Sequence, residues 1–184
     1  MRLFIAIQFD EPQKDKLMLA QSELKTLCAK GNFTRRENLH LSLAFLGETA
    51  PSRVASLRQA MDGVTLSAFT LHLENMGCFR QKRGDVWWVG VDGAKNLALL
   101  HQQIFQCLEK AGFPTEKRRF NPHLTLAREV QLQNATDIAA LANRAEPILA
   151  QASALSLMES SRLDGRLTYT ELYAKPLLRA EEKP

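Results

Sequence analysis

One ten-residue pattern occurs twice in this chain, and each copy is built around a histidine. The first reads Arg35-Arg36-Glu37-Asn38-Leu39-His40-Leu41-Ser42-Leu43-Ala44, the second Arg118-Arg119-Phe120-Asn121-Pro122-His123-Leu124-Thr125-Leu126-Ala127. Seven of the ten positions are identical, and an eighth keeps a hydroxyl as Ser42 or Thr125. Duplicated folding units share leucines for packing reasons. A shared imidazole and hydroxyl two residues apart have no such reason, because a core requires neither. In a strand, residues i and i+2 lie on one face. His40 therefore sits beside Ser42 and His123 beside Thr125, with the flanking leucines on the opposite face.

Imidazole is the side chain best poised to exchange protons near neutral pH, and two of them supply a base and an acid for one step. Two hydroxyls can donate hydrogen bonds to non-bridging phosphoryl oxygens, and neighbouring arginines favour an anion. In-line displacement at phosphorus needs an attacking oxygen deprotonated on one side and a leaving oxygen protonated on the other. Twin histidines meet that demand without a metal.

A single H-x-[ST] is ordinarily a satisfied strand histidine; the duplication is what argues for chemistry. Metal binding is the main rival. A catalytic zinc takes three protein ligands, yet His72 and His101 have no comparable context, and neither repeat sets an acid or cysteine beside its histidine. No metal and no cofactor are expected. There is no G-x-S-x-G, P-loop or G-x-G-x-x-G. Cys28, Cys78 and Cys107 form no CxxC and cannot all pair, which suits reduced, inert thiols in a cytoplasmic protein.

The chain has 184 residues, 45% hydrophobic and 24% charged, enough for a core without disulfide or metal staples and ordinary for a soluble globular protein. No apolar stretch is long enough to span a bilayer, and Leu3-Phe4-Ile5-Ala6-Ile7 reads as a strand, not a signal peptide. The net charge of +4 suits an anionic partner. Arg35-Arg36 and Arg118-Arg119 precede the two histidine motifs, and Arg80, Lys82 and Arg83 form a third cluster. Together they suggest a polyanion path.

The elements that must position the motifs follow from periodicity. Residues 2–9 read as a strand. Asp10-Glu11-Pro12 opens a helix, with Leu17, Met18, Ala20, Leu24 and Leu27 on its apolar stripe, running to about Lys30 and stopped by Gly31-Asn32. Residues 38–46 read as a strand and Pro51–Met61 as a helix. Residues 69–74 and 86–91 flank a polar turn as a hairpin, in which one of Trp87 and Trp88 is buried and hairpin packing is the favoured role for both. Ala94–Ala111 is a helix and 122–130 a strand. A helix follows over 134–148. Strands 152–162 and 166–175 are joined at Leu163-Asp164-Gly165-Arg166, an Asp-Gly hairpin signal. The fold expected is α+β, a duplicated unit offset by 83 residues from His40 to His123. The reading is one bilobal domain over 1–184, with two intertwined lobes related by pseudo-twofold symmetry. Antiparallel sheets line a central cleft, helices cover the outer faces, and the 180–184 tail is disordered.

His40-Leu41-Ser42-Leu43 and His123-Leu124-Thr125-Leu126 resemble the paired H-x-[ST]-x motifs of the 2H phosphoesterase superfamily. Over essentially its whole length the chain is similar to the bacterial RNA 2′,3′-cyclic phosphodiesterases, formerly called 2′-5′ RNA ligases. That resemblance implies hydrolysis of an RNA 2′,3′-cyclic phosphate to a 2′-phosphomonoester, with reversible, ATP-independent 2′-5′ ligation as a side activity. It implies His123 as proton acceptor and His40 as proton donor, with Ser42 and Thr125 holding the phosphate. Arg128 matches an arginine that follows the second motif in relatives; it reaches the phosphate only if the strand bulges or ends there. Phe9 is a candidate for base stacking, with core packing as the alternative. Ser42 departs from the commoner threonine, which keeps the hydroxyl but frees χ1. Partners implied are RNA ends carrying the cyclic phosphate, including tRNA fragments or nucleotides, met by a monomer. Other openings remain: a different 2H-type reaction, on ADP-ribose cyclic phosphate or in trimming RNA ends, or a non-catalytic module that binds RNA ends.

Overall fold

A computed structural model describes residues 1–115, 119–133 and 147–179. In chain order the strands are β1 (Arg2–Gln8), β2 (Cys28–Phe33), β3 (His40–Glu48), β4 (Phe69–Phe79), β5 (Asp85–Asp92), β6 (His123–Leu132), β7 (Ile148–Ala152), β8 (Ala154–Leu163) and β9 (Arg166–Pro176). The helices are α1 (Glu11–Thr26), α2 (Val54–Asp62) and α3 (Ala94–Lys110). The strands form two antiparallel sheets, ordered β3-β1-β8-β9 and β2-β6-β5-β4-β7. The α+β fold read from the sequence is the one observed.

The duplication extends to register. In the first sheet Gln8 pairs with His40, Ala6 with Ser42, Ile5 with Ala44 and Leu3 with Gly47. In the second Gly90 pairs with His123, Trp88 with Thr125, Trp87 with Ala127 and Asp85 with Val130. Each motif strand therefore gains one residue on its partner directly after the hydroxyl, and another before Gly47 or Val130. The β-bulges are as duplicated as the histidines. The order β3-β1-β8-β9 maps onto β6-β5-β4-β7, with β2 added beyond β6.

The strands of each motif are apolar toward the helices. Leu3, Ile5 and Ile7 of β1, Leu41 and Leu43 of β3, and Leu124 and Leu126 of β6 join Leu17, Leu24, Leu57, Leu100 and Ile104 from the helices in one continuous core. The opposite face of the first sheet carries a small separate cluster of Phe4, Ala6 and Met158, with Tyr169 against it. α1 begins with a capping box in which the Asp10 side chain accepts from the Gln13 amide while the Gln13 side chain accepts from the Asp10 amide. At the β8–β9 turn Asp164 and Gly165 both take positive φ, +49° and +76°, as a two-residue turn between twisted strands requires.

Two element assignments need correction. α1 stops at Thr26, and residues 28–33, of which 28–30 are read above as helix and Gly31-Asn32 as its stop, form β2 against β6. The apolar stripe ends at Leu24, and the exposed backbone edge of β6 offers hydrogen bonds that outweigh local helix propensity. Ile148, read as the end of a helix, opens strand β7 on β4. There Pro147 breaks the chain, and Ile148, Ala150 and Ala152 are buried while Leu149 and Gln151 are exposed, a period of two. Residues 134–146 and the 180–184 tail lie outside the described residues.

Candidate active site

The first motif is reached from the second sheet. After β2, the Thr34 amide donates to the Leu126 carbonyl at 2.8 Å and its hydroxyl to the Thr125 carbonyl at 2.9 Å. Gln21, buried on α1, donates to the carbonyls of Thr34 at 2.7 Å and Leu126 at 2.9 Å. The chain then passes through a short 3-10 turn, Arg36–Asn38, into β3. One knot of hydrogen bonds thus ties the strand bearing His123 to the segment that delivers His40.

Both imidazoles are held alike. Nδ1 of His40 lies 2.7 Å from the Asn38 carbonyl, and Nδ1 of His123 lies 2.7 Å from the Asn121 carbonyl. A carbonyl only accepts, so each ring carries its proton on Nδ1 and turns Nε2 toward the open face. The asparagines belong to the repeated pattern, yet residue types alone did not reveal this use, because the backbone makes the contact. Each ring also meets an aromatic edge-on at 5.1 Å and 89°: Tyr169 for His40, Phe79 for His123. Neither partner is near its histidine in sequence.

Beyond this the two sites diverge. His40 Nε2 bonds the Ser42 hydroxyl at 2.9 Å, and Phe4 packs 5.0 Å from its ring. Burial lowers the His40 pKa below the usual histidine value, and the charges of Arg128 and His123 lower it further, against a raising contribution from the Asn38 carbonyl. His123 and Arg128 stand on the other sheet, so the two motif faces converge on one region. Burial raises the Tyr169 pKa, and the charge of Arg128 opposes that rise. Around Arg128 the β6 strand bulges, Glu129 takes φ +53°, and Arg128 is exposed. Thr125 shares its face with Trp88, whose ring covers Gly77 and lies 6.3 Å from His123. Trp87 is fully buried.

Two expectations fail. Phe9 is 5% exposed and belongs to the core, so it offers no face to a base; alternation continues Leu3, Ile5 and Ile7 through Phe9 to the helix side. The basic path fails only in part: three of its arginines are engaged in ion pairs, while Lys82, Arg83 and Arg119 are exposed. Arg36 pairs with Glu11 at 2.8 Å and Asp15 at 2.7 Å, Arg35 with Glu37 at 3.1 Å, and Arg80 with Asp85. Arg35 also donates to the Leu167 carbonyl, fastening β9 beside the first motif. Arg118 lies outside the described residues. Cys28, Cys78 and Cys107 are free thiols. Among the described residues no group of three or more His, Cys, Asp or Glu could hold a metal. None of their helices is long and apolar enough to cross a membrane.

Residues 14–164 match the model of the 2′-5′ RNA ligase superfamily. The chain belongs to that superfamily. A relative from Archaeoglobus fulgidus, named RNA 2′,3′-cyclic phosphodiesterase, is 32% identical over 70% of this chain and 72% of its own length. Another of that name, from Methanothermobacter thermautotrophicus, is 26% identical over 93% of this chain and 96% of its own. Among solved structures, Escherichia coli LigT complexed with NADP+ superposes with a TM-score of 0.77 at 26% identity, covering 97% of this chain and 98% of that one. The family read from the two motifs is therefore the family observed.

Proposed function

We propose that this protein hydrolyses RNA 2′,3′-cyclic phosphodiester ends to 2′-phosphomonoesters, using His40 and His123 as a proton-transfer pair. The relatives' names support the reaction class. The observation that supports the pairing is the matched hold on the two imidazoles, with Nδ1 of each on a backbone carbonyl and Nε2 turned away from it, that of His40 toward the Ser42 hydroxyl; the division into acceptor and donor follows the family resemblance.

In this reading His123 Nε2 takes a proton from water as the water oxygen attacks phosphorus. The bond from phosphorus to O3′ breaks, and His40 Nε2–H delivers its proton to O3′. His123 ends protonated and His40 neutral, and exchange with solvent resets both. The free site favours neutral His40; a bound phosphodiester anion opposes that and favours the imidazolium needed for the step. Once Nε2 is protonated it no longer accepts from Ser42, so the Ser42 hydroxyl is released to bond a non-bridging oxygen opposite Thr125. Arg128 neutralises charge gathering on those oxygens. With the 5′-hydroxyl of a second RNA end in place of water, the same groups run the same step: His123 takes the hydroxyl proton as the 5′-oxygen attacks phosphorus, the bond to O3′ breaks, and His40 protonates O3′, which leaves a 2′-5′ linkage.

The test is direct. An oligonucleotide ending in a 2′,3′-cyclic phosphate, including one shaped like a tRNA fragment, should yield only the 2′-phosphomonoester, and turnover should persist in EDTA. Salt-sensitive binding without product would make the protein a binding module. Loss in EDTA restored by added metal would replace the paired-imidazole reading.

A further inference from the structure

The proposed reaction needs both imidazoles presented alike, yet the two carbonyls that present them are held by different means. In the first motif the Asn38 carbonyl belongs to a hydrogen-bonded turn. The Asn38 amide donates to the Arg35 carbonyl at 2.9 Å, and the Leu39 amide to that of Arg36 at 3.2 Å. The buried Asn38 side chain donates to the Leu167 carbonyl at 3.0 Å, and Glu11 and Asp15 clamp Arg36. The second motif replaces this scheme. Asn121 is exposed, Phe120 stands where the first copy has Glu37, and Pro122 stands where it has Leu39. Proline has no amide to donate, so the bond made by Leu39 has no counterpart. It does restrict the preceding residue to extended backbone, which makes Asn121-Pro122 a stiff unit.

That unit is fastened on one side by the Val91 amide, which donates to the Pro122 carbonyl at 3.3 Å. On the other side is Phe120, whose ring lies flat on the His101 imidazole, with centroids 4.0 Å and planes 16° apart. His101 projects from α3 and also meets Phe105, one turn on, at 4.2 Å. Burial holds its pKa below the usual histidine value, so near neutral pH the ring is uncharged and packs as an aromatic. The paired-imidazole chemistry gives His101 no part. We infer that His101 is a positioning residue for His123: its stack on Phe120 sets where the Asn121 carbonyl lies, and that carbonyl holds Nδ1–H of His123 and keeps Nε2 free to act as base. The phosphodiesterase reading above supplies the role of His123 on which this rests. Contact runs from α3 through His101, Phe120 and Asn121 to the catalytic ring. A displacement of about 1 Å in such a ring, begun far from the chemistry, is enough to slow a reaction severely.

The test compares the unmodified protein with His101→Ala, Phe120→Leu and His101→Phe on 2′,3′-cyclic AMP, and reads the ring nitrogens of His40 and His123 by nitrogen NMR without substrate. His101→Ala and Phe120→Leu should each lower kcat about three- to thirtyfold with KM held within about twofold. Each should also raise the share of His123 that carries its proton on Nε2, with His40 unchanged. His101→Phe keeps a flat ring and should retain kcat within about twofold. Unchanged kcat and an unchanged His123 tautomer in both His101→Ala and Phe120→Leu would overturn the inference. So would a loss of rate with the His123 tautomer unmoved, or one that moved His40 equally. If the unmodified protein opened no cyclic phosphate, the phosphodiesterase reading would fail instead, and the tautomer measurement would still decide whether His101 orients His123.

Discussion

The first sheet closes around its histidine, with Phe4 and Tyr169 on the ring and Ser42 on Nε2, while the second leaves His123 with Phe79 at its edge and Trp88 farther off. Register and the Nδ1 contact are common to both, and what differs is what surrounds each ring. The small-for-large exchange beneath each motif makes the same point. Ala6 faces Ser42 and pairs with Ser156, whereas Trp88 faces Thr125 and pairs with Gly77. One sheet gives its histidine an apolar wall from β1 and β9; the other builds a ring into its central strand and removes a side chain to fit it.

The comparison can be broken most severely at the imidazoles. His40→Ala and His123→Ala should each lower kcat about 10³–10⁴-fold with circular dichroism unchanged; substantial turnover in either would dissolve the pairing. Next come the hydroxyls. Ser42→Ala and Thr125→Ala should each cost about 10²–10³ in rate if both serve the phosphoryl oxygens. The Ser42 change should cost more, since it also frees His40 Nε2, and Ser42→Thr should stay active. Arg128→Ala should lower kcat/KM about ten- to hundredfold. It should also raise the His40 pKa in an NMR titration, because a cation that held it down is gone.

Smaller effects sharpen the contrast in packing and pH. A Cβ at Gly77 would stand 2.4 Å from the Trp88 ring, so Gly77→Ala should destabilise by about 1–3 kcal/mol in urea titration, whereas Ser156→Gly at the equivalent place should cost about 1 kcal/mol or less. His40 has its folded pKa lowered from 6.5, so its linked stability is complete above that value and is lost as pH falls through the lower folded value. Denaturation between pH 7 and pH 5 should therefore show a steeper loss in the unmodified protein than in His40→Ala.

Much of this site was legible in the sequence because its chemistry is local. Alternation alone put His40 with Ser42 and His123 with Thr125, and the Asp164-Gly165 pair announced its own turn. Alternation also places Phe9 with the core residues Leu3, Ile5 and Ile7, where it packs. The bulges were not legible. They have no composition of their own, yet they decide where Arg128 points. Tyr169 and Phe79 were hidden for another reason: only the pairing of distant strands brings them to their histidines. β2 was misread because its stability comes from the edge of β6 and not from its own residues. The arginines of the repeat looked functional by proximity, but Glu11, Asp15 and Glu37, brought up by folding, claim Arg35 and Arg36.

The pairing of β1 with β8, through contacts such as Ala6 with Ser156, governs how the molecule is made. β1 waits for β8, far along the chain, before both its edges are filled. Until then a nascent chain carries a bare hydrogen-bonding edge, the kind of surface on which aggregation begins and chaperones act. Closing so long a loop is slow, and Tyr169 reaches His40 only when the terminal hairpin zips into place. The surroundings of His40 are therefore completed only once β9 has been made and paired, so that a product ending before β9 cannot present them.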